Sequence, residues 1–547
     1  MEEEAAASSN QTAGEDCLVG RRVSAIYHDQ SVSHFRGHPL TEVFEEERSL
    51  QSIARALRSR PSIDPALRQK GPMIRMSALR ADAKLFFEPM KTHLELVERM
   101  DLVMRLGLVG RNPLVKHAAC QSEPENTLNL FGASGMGKSR TTKEILTKLY
   151  PQVIDHSNFH GRRFHFAQVV WIYLNAPALG TPRALCLEFI RAVDRALYRD
   201  ANGHALGNLE VEGYEVRYNR SGRSSIDSLT ASMATIIRNH GVALLVLDEL
   251  AHLKTLKTGE AQRHFNFLFS MLDRLGVPVF LIGTYDGIPI LQQQARIMGR
   301  VSGHGDWIWD RFVENDKPWN HMLNALFTYQ YVKNPIPCDD PLRPAVSEAL
   351  YYETQGVLRY LKELWFFAQE EAMKSKVERL TPQVIHRAAR KRMIATQGLR
   401  TALREGDREK LNKHADMFPS CLEPYFTDLV QKGHIEGCLA LHPQLRTRDA
   451  KESTLDTIPR SEVGKKNEGM DAGLSKVSTC TIPKALKPGR KPKPSSRLRN
   501  VPDTLVSVTA SDPELSAIEK LKEAGVLRQA GEMLPQPAQQ TQPILPS

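Results

Sequence analysis

The stretch that most constrains this chain is Gly132-Ala133-Ser134-Gly135-Met136-Gly137-Lys138-Ser139. It fits G-x-x-x-x-G-K-S/T, follows an apolar run at Thr127–Phe131, and opens a helical pattern with Ile145, Leu146 and Leu149 on one face. That strand-loop-helix context is what a phosphate loop requires. Glycines let successive backbone N–H groups turn toward a polyphosphate, and the helix N-terminus adds a positive dipole end. Lys138 is expected to supply charge at the β- and γ-phosphates, and Ser139 an oxygen to Mg2+. Arg140 directly follows and joins the nucleotide-facing candidates. A chain with this loop is expected to fold as a parallel α/β sheet with crossover helices.

The residues after the loop repeat that pattern. Gln168–Leu174 (QVVWIYL) reads as a strand, and Val242–Leu247 and Val277–Ile282 are continuously apolar, as strands buried on both faces are. Thr181-Pro182 gives an N-cap and a first-turn proline to a helix whose face is Cys186, Phe189, Ile190, Val193 and Leu197. Strands alternating with helices predict a parallel sheet with right-handed crossovers. Beyond Pro344 the strand signal stops, and Ser347–Tyr360, Leu361–Val377 and Thr381–Arg392 read as helices of a small lid.

Val242–Leu247 ends in Asp248-Glu249, the arrangement in which an acid at a strand end reaches Mg2+ and its neighbour orients the attacking water. Asp248 and Ser139 are therefore the metal candidates, and Glu249 the catalytic carboxylate. Gly283-Thr284 ends the next strand, which places the Thr284 side chain near the γ-phosphate. Arg296 and Arg300 follow; either is a candidate finger supplied in trans, and each is otherwise a solvated arginine. Arg359, in Gly356-Val357-Leu358-Arg359, is either a lid residue over the nucleotide or a plain helix-face arginine. His28, His34 and His38 have no companion cysteine or carboxylate at metal-ligand spacing.

Composition narrows the function classes. Lys and Arg number 73 against 63 Asp and Glu, a formal charge of +10, which favours a polyanionic partner or a solvated surface. No run of about 18 apolar residues occurs, so no membrane span is expected. The acidic Met1-Glu2-Glu3-Glu4 start has no apolar signal core, and seven scattered cysteines form no CxxC pair, so a reducing cytoplasm is expected. Near the C-terminus, Lys484, Lys487, Arg490, Lys491, Lys493, Arg497 and Arg499 form a proline-broken basic run, a linker or a DNA-contacting tail. Asp512-Pro513 then opens a short amphipathic helix with Leu515, Ile518 and Leu521, suited to docking on a partner.

Several blocks resemble the TnsC family, the AAA+ ATPases that regulate target choice in TnsABCD-type transposons, and more distantly TniB. They are Leu85–Pro89 (LFFEP), Gly107–Pro113 (GLVGRNP), GASGMGKS, CLEFIRAVDRAL at 186–197, LLVLDELAHL at 244–253, GVPVFLIGT at 276–284 and TQGVL at 354–358, with AIYHD and HFRGHPL near the N-terminus more loosely similar. The resemblance spans roughly residues 20–400, with a fainter match near 500–530. It implies an AAA+ P-loop ATPase that uses ATP and Mg2+ and oligomerises, as a ring or filament, on double-stranded DNA. It also implies recruitment by a TniQ/TnsD-like target selector and activation of the TnsA and TnsB transposase subunits, in a bacterial, nucleoid-associated setting. The segment YDGIPILQQQ after Gly283-Thr284 departs from the family pattern. Competing classes are a signalling or scaffold ATPase that does not touch DNA, and a helicase-loader or initiator ATPase.

The expected organisation is a disordered 1–18 and an N-terminal extension at 19–120 contacting the target selector or DNA. An AAA+ core follows at 121–340, a helical lid at 341–405, a helical extension at 406–444, and a flexible basic tail with a transposase-docking helix at 445–547.

Overall fold

The computed structural model describes residues 18–115, 127–175, 181–199, 204–206, 212–219, 222–249, 267, 276–291 and 303–417. They all fall in one compact unit, Met1–Pro459; the second unit, Arg460–Ser547, lies outside them.

The strands are β1 Arg22–Ser24, β2 Thr127–Gly132, β3 Val153–Phe159, β4 Arg162–Val169, β5 Trp171–Asn175, β6 Leu244–Asp248, β7 Val279–Ile282 and β8 Asp306–Trp309. The main sheet has the order β5-β6-β7-β2-β8, and all its pairings are parallel. β2, β6 and β7 are buried along their whole length, which explains their unbroken apolar runs. β7 sits between β6 and β2, so Thr284 does emerge between the two motif-bearing strands.

The helices are α1 Leu50–Leu57, α2 Pro72–Leu85, α3 Lys91–Leu108, α4 Lys138–Leu149, α5 Pro182–Leu197, α6 Tyr214–Asn219 and α7 Ile226–Asn239, then α8 Ile288–Leu291 and α9 Lys317–Phe327. The last five are α10 Arg343–Thr354, α11 Leu358–Ala372, α12 Pro382–Arg392, α13 Gln397–Glu405 and α14 Arg408–Leu411. Thr181 caps α5 through a hydrogen bond from the Ala184 amide, and Cys186, Phe189, Ile190 and Val193 are buried as the periodicity requires. Among the described residues no helix is long and apolar enough to cross a membrane.

Three sequence expectations change. QVVWIYL is not one strand: Gln168–Val169 closes the β3–β4 hairpin, the chain switches sheets at Val170, and β5 begins at Trp171. Val170 serves both sheets, donating its N–H to the Gln152 carbonyl and accepting from the Ala243 and Leu244 amides. The helix expected at Ser347–Tyr360 stops at Gln355 (φ 53) and Gly356 (φ 74), and α11 starts afresh at Leu358. A Cβ at Gly356 would meet the Phe312 carbonyl oxygen at 2.1 Å, so close backbone approach forces this break. The aromatic β8 has no counterpart in the sequence reading, because four residues give too short a pattern to register.

Residues 18–115 are built into the same unit rather than appended to it. β1 pairs parallel with β3, and α3 packs its Leu96, Val97, Met100, Val103 and Met104 face into the core beneath β2, β6 and β7. The Gly107–Pro113 block lies at the amino edge of the sheet. The Arg111 guanidinium donates to the carbonyls of Gly107 and Val242, both at 2.7 Å, and a Cβ at Gly107 would meet Pro278 at 2.0 Å. Val242 and Pro278 immediately precede β6 and β7, so the block fastens α3 to the strands that carry Asp248 and Thr284.

Candidate nucleotide site

Parallel strands deliver their carboxyl ends to one edge, where ligands of open α/β sheets bind. Four sequence signals arrive there: the phosphate loop after β2, Asp248-Glu249 after β6, Gly283-Thr284 after β7, and the first turn of α4. Asp310 and Arg311, after β8, join them.

The loop has the backbone its glycines were expected to provide. Gly132, Gly135 and Gly137 all have positive φ, at 150°, 81° and 84°. At Gly132 a Cβ would meet the Trp309 carbonyl oxygen at 1.9 Å, so β8 and the loop can approach only because that position is bare. Lys138 is 6% exposed, and its ammonium donates to the Gly132 and Ala133 carbonyls at 2.9 and 2.8 Å. Burial pulls it down to about 8; Asp248, Asp416, Asp286 and Asp310 oppose that pull. A buried lysine at the start of a helix, behind a loop of positive-φ glycines, fits an anionic ligand.

Asp248 is buried, and both its oxygens have donors: the Glu249 amide at 2.8 Å on Oδ1 and the Tyr173 hydroxyl on Oδ2. Glu249 holds the left-handed conformation, φ 61, an uncommon state for a glutamate and one that concentrates at functional sites. The Thr284 hydroxyl is hydrogen-bonded to the Asp286 carboxylate. Arg359 sits at the start of α11; its amide donates to the Gly135 carbonyl at 2.9 Å, while its exposed guanidinium pairs with Glu363 at 3.0 Å. Arg296 and Arg300 lie outside the described residues.

Beside the loop is a cavity of about 470 Å3, lined among others by Phe86, Phe87, Gly135, Arg140, Lys362 and Phe366. His93 also lines it. Its Nδ1 accepts from the Met90 amide at 3.2 Å, so Nε2 carries the proton, and that atom has no partner among the described residues. Burial holds His93 neutral, near 3. Of the three N-terminal histidines, His38 is spent on structure: it is buried and its Nε2–H donates to the Leu108 carbonyl at 2.8 Å.

Tyr173 and Asp416 are among the participants that the sequence does not reveal. Tyr173 stood inside an expected strand with nothing to mark its hydroxyl. Asp416, whose carbonyl accepts from the Ser134 amide at 3.0 Å, lies 282 residues along the chain from its partner (416 − 134).

Residues 122–291 match the family model of an AAA domain. The fold is that of an AAA+ P-loop domain, with a five-stranded parallel sheet followed by a helical region. Among solved structures, the ORC2 protein of Aeropyrum pernix, in ADPNP–ADP complexes, is 15% identical, with 68% of this chain and 83% of that chain covered, at a TM-score of 0.32. The Drosophila ORC bound to DNA is 12% identical, with 76% and 82% covered, also at 0.32. The Walker-type ATPase of Pyrococcus abyssi is 13% identical, with 64% and 86% covered, at 0.32. At such TM-scores none of these likenesses bears on what this chain does. No curated protein matches it.

Proposed function

We propose that the chain is an ATP-hydrolysing regulator of DNA transposition that assembles on duplex DNA. The ATPase part rests on one observation: Lys138, Ser139, Asp248, Glu249 and Thr284, spread over 147 residues (284 − 138 + 1), meet at one sheet edge. The transposition part rests on the resemblance to TnsC, carried chiefly by Gly107–Pro113 and the strand blocks at 244–253 and 276–284.

When bound, ATP supplies the γ-phosphoryl group and Mg2+ draws off its developing charge. Lys138 neutralises the β- and γ-oxygens while the loop amides orient them. Ser139 and Asp248 would hold the metal. Glu249 orients the attacking water and accepts its proton. Thr284, between the two motif strands, senses the terminal phosphate. Phe86, Phe87 and Phe366 offer apolar faces to a base, and the His93 Nε2–H offers it a donor. Arg296 and Arg300, which lie outside the described residues, are the candidates for a finger supplied to the site of the next subunit.

Glu249→Gln is expected to keep nucleotide affinity and slow turnover by roughly 10²–10⁴-fold, since the amide keeps the shape but cannot take the proton. Steady-state hydrolysis with a parallel binding titration checks it; wild-type turnover would remove Glu249 from this role. Trapped in its ATP state, the variant should remain on DNA.

Duplex binding is expected to require ATP, to tolerate any sequence, and to fall linearly in log K against log salt, because Lys and Arg contacts to phosphates release counterions. Fluorescence anisotropy on two unrelated duplexes across a salt series tests this. Nucleotide binding without any duplex affinity would favour the scaffold class. ATP-dependent duplex binding that fails to stimulate a TnsA–TnsB-like strand transfer would favour the initiator class.

A further inference from the structure

Tyr173 lies on β5 opposite Val246 of β6, two residues short of the Asn175–Asp248 pair at the sheet edge. Its ring is buried, with the Lys143 ammonium 5.0 Å from the centroid. A phenylalanine would fill that space equally well, and a buried hydroxyl costs free energy unless it is used. This one is used: it donates to Asp248 Oδ2.

We propose that Tyr173 is a positioning residue for the metal: its hydroxyl fixes the orientation of Asp248, one of the two groups assigned to hold it. The inference rests on that assignment. With the Glu249 amide on Oδ1 and Tyr173 on Oδ2, the carboxylate has one permitted rotation, and a metal or its water uses the remaining lone pairs. Donors to a ligating carboxylate typically govern metal affinity by about 10–100-fold.

The test uses the full chain with Mn2+ as the metal and its free concentration read by electron paramagnetic resonance. Tyr173→Phe should raise the Mn2+ dissociation constant of the nucleotide complex by about tenfold and leave nucleotide affinity in EDTA unchanged. Asp248→Ala is the control for the underlying assignment and should weaken Mn2+ at least as much. An effect of Asp248→Ala with none from Tyr173→Phe overturns the inference alone; no effect from either overturns the assignment. Should Tyr173→Phe not fold, 3-fluorotyrosine at 173 keeps shape and hydroxyl but strengthens the donor; an unchanged Mn2+ constant would then be the overturning result.

A separate observation concerns the end of the described chain. After α13 the backbone turns at Gly406 (φ 65), forms α14 and folds back. Leu411 and Met417 are 2% and 1% exposed, in the same core as Met136 and Val357. The Asp416 carbonyl then takes the Ser134 amide at 3.0 Å, and the field of its carboxylate reaches the Lys138 ammonium. Carbonyl and carboxylate oxygens call on the same kinds of donor as phosphate oxygens.

We infer that residues 406–417 are an intramolecular cover that competes with the polyphosphate for the loop. This too rests on the nucleotide assignment. Met417→Ser in the full chain, which loosens the anchor that holds the Asp416 carbonyl on the Ser134 amide, should tighten binding of a fluorescent ATP analogue by at least about fivefold, through faster association in stopped flow. Leu411→Ser, at the other buried anchor of the segment, should act in the same direction. Unchanged or weaker binding in both overturns the cover. A wild-type chain that binds no analogue overturns the nucleotide assignment instead.

Discussion

Lys138→Ala is expected to lower nucleotide affinity by roughly 100-fold or more, the loss of at least two hydrogen bonds to charged oxygens at about 1.5–3 kcal/mol each. In the free protein the ammonium is held by the Gly132 and Ala133 carbonyls, neutral acceptors that give way to phosphate. Burial has already drawn this lysine down to about 8, and a neighbouring polyanion raises it again. Binding above that pH therefore takes up a proton. Affinity should be flat up to about pH 7 and fall by as much as tenfold per unit above 8, and calorimetry in buffers of different ionisation heat should register the uptake. The same depression costs the free protein stability: the unfolded chain binds more protons between about 8 and the ordinary lysine value, so the penalty is full below that window and vanishes above it. Lys138→Ala should thus melt no lower than wild type at neutral pH while having lost its ligand. That combination separates a binding defect from misfolding, and undiminished affinity would sink the assignment of the loop.

The site was legible where its chemistry is carried by covalent neighbours. Gly132 through Ser139 specify a loop, a strand and a helix start in one stretch, and Asp248-Glu249 closes an apolar run. The fold subsequently places these where their types predict, because all the main strands run the same way. What the sequence did not disclose depends on contacts between distant positions. Tyr173 is one residue in a β-rich run, and only its neighbour across β5–β6 gives its hydroxyl a purpose. Asp416 reaches Ser134 through a backbone carbonyl, which any residue type has. Gly356 stood in a helix-like pattern, and its role became visible only once the Phe312 carbonyl was found against it. Among residues 19–120, several arginines donate to backbone carbonyls, and Arg75 and Arg80 pair with acids of the lid, contacts that link positions hundreds of residues apart.

Arg75 makes the most buried of these contacts, and removing it should cost the most stability. It is fully buried on α2, and its guanidinium meets Glu378 in two bonds, Nη1 to Oε2 at 2.5 Å and Nη2 to Oε1 at 3.0 Å. Nη1 also reaches the Tyr331 carbonyl at 3.1 Å, and Nε the Lys70 carbonyl at 3.0 Å. Arg80 pairs with Glu370 on α11, so Arg75 and Arg80 both tie α2 to the lid, and the Tyr331 hydroxyl donates to Asp82 on the same helix. Arg75→Ala is expected to destabilise the chain by about 3–5 kcal/mol, since it strands a buried carboxylate and a carbonyl together. Among the described residues, Lys333, half-exposed and 3.6 Å away, is the cation that remains paired with Glu378. Arg75→Lys should recover part of the loss, because one ammonium cannot replace a two-pronged contact. Replacing both partners by methionine should recover more, because no unpaired charge is then left inside. Hydrogen bonding from Arg75 holds the Glu378 carboxyl below its ordinary value, so this contribution is present above the unfolded carboxylate range and is lost as pH falls through the lowered one. Urea melts at neutral and acidic pH read both effects. If Arg75→Ala unfolds at the wild-type midpoint, α2 is not a strut of the lid, and residues 19–120 regain their standing as a separable extension.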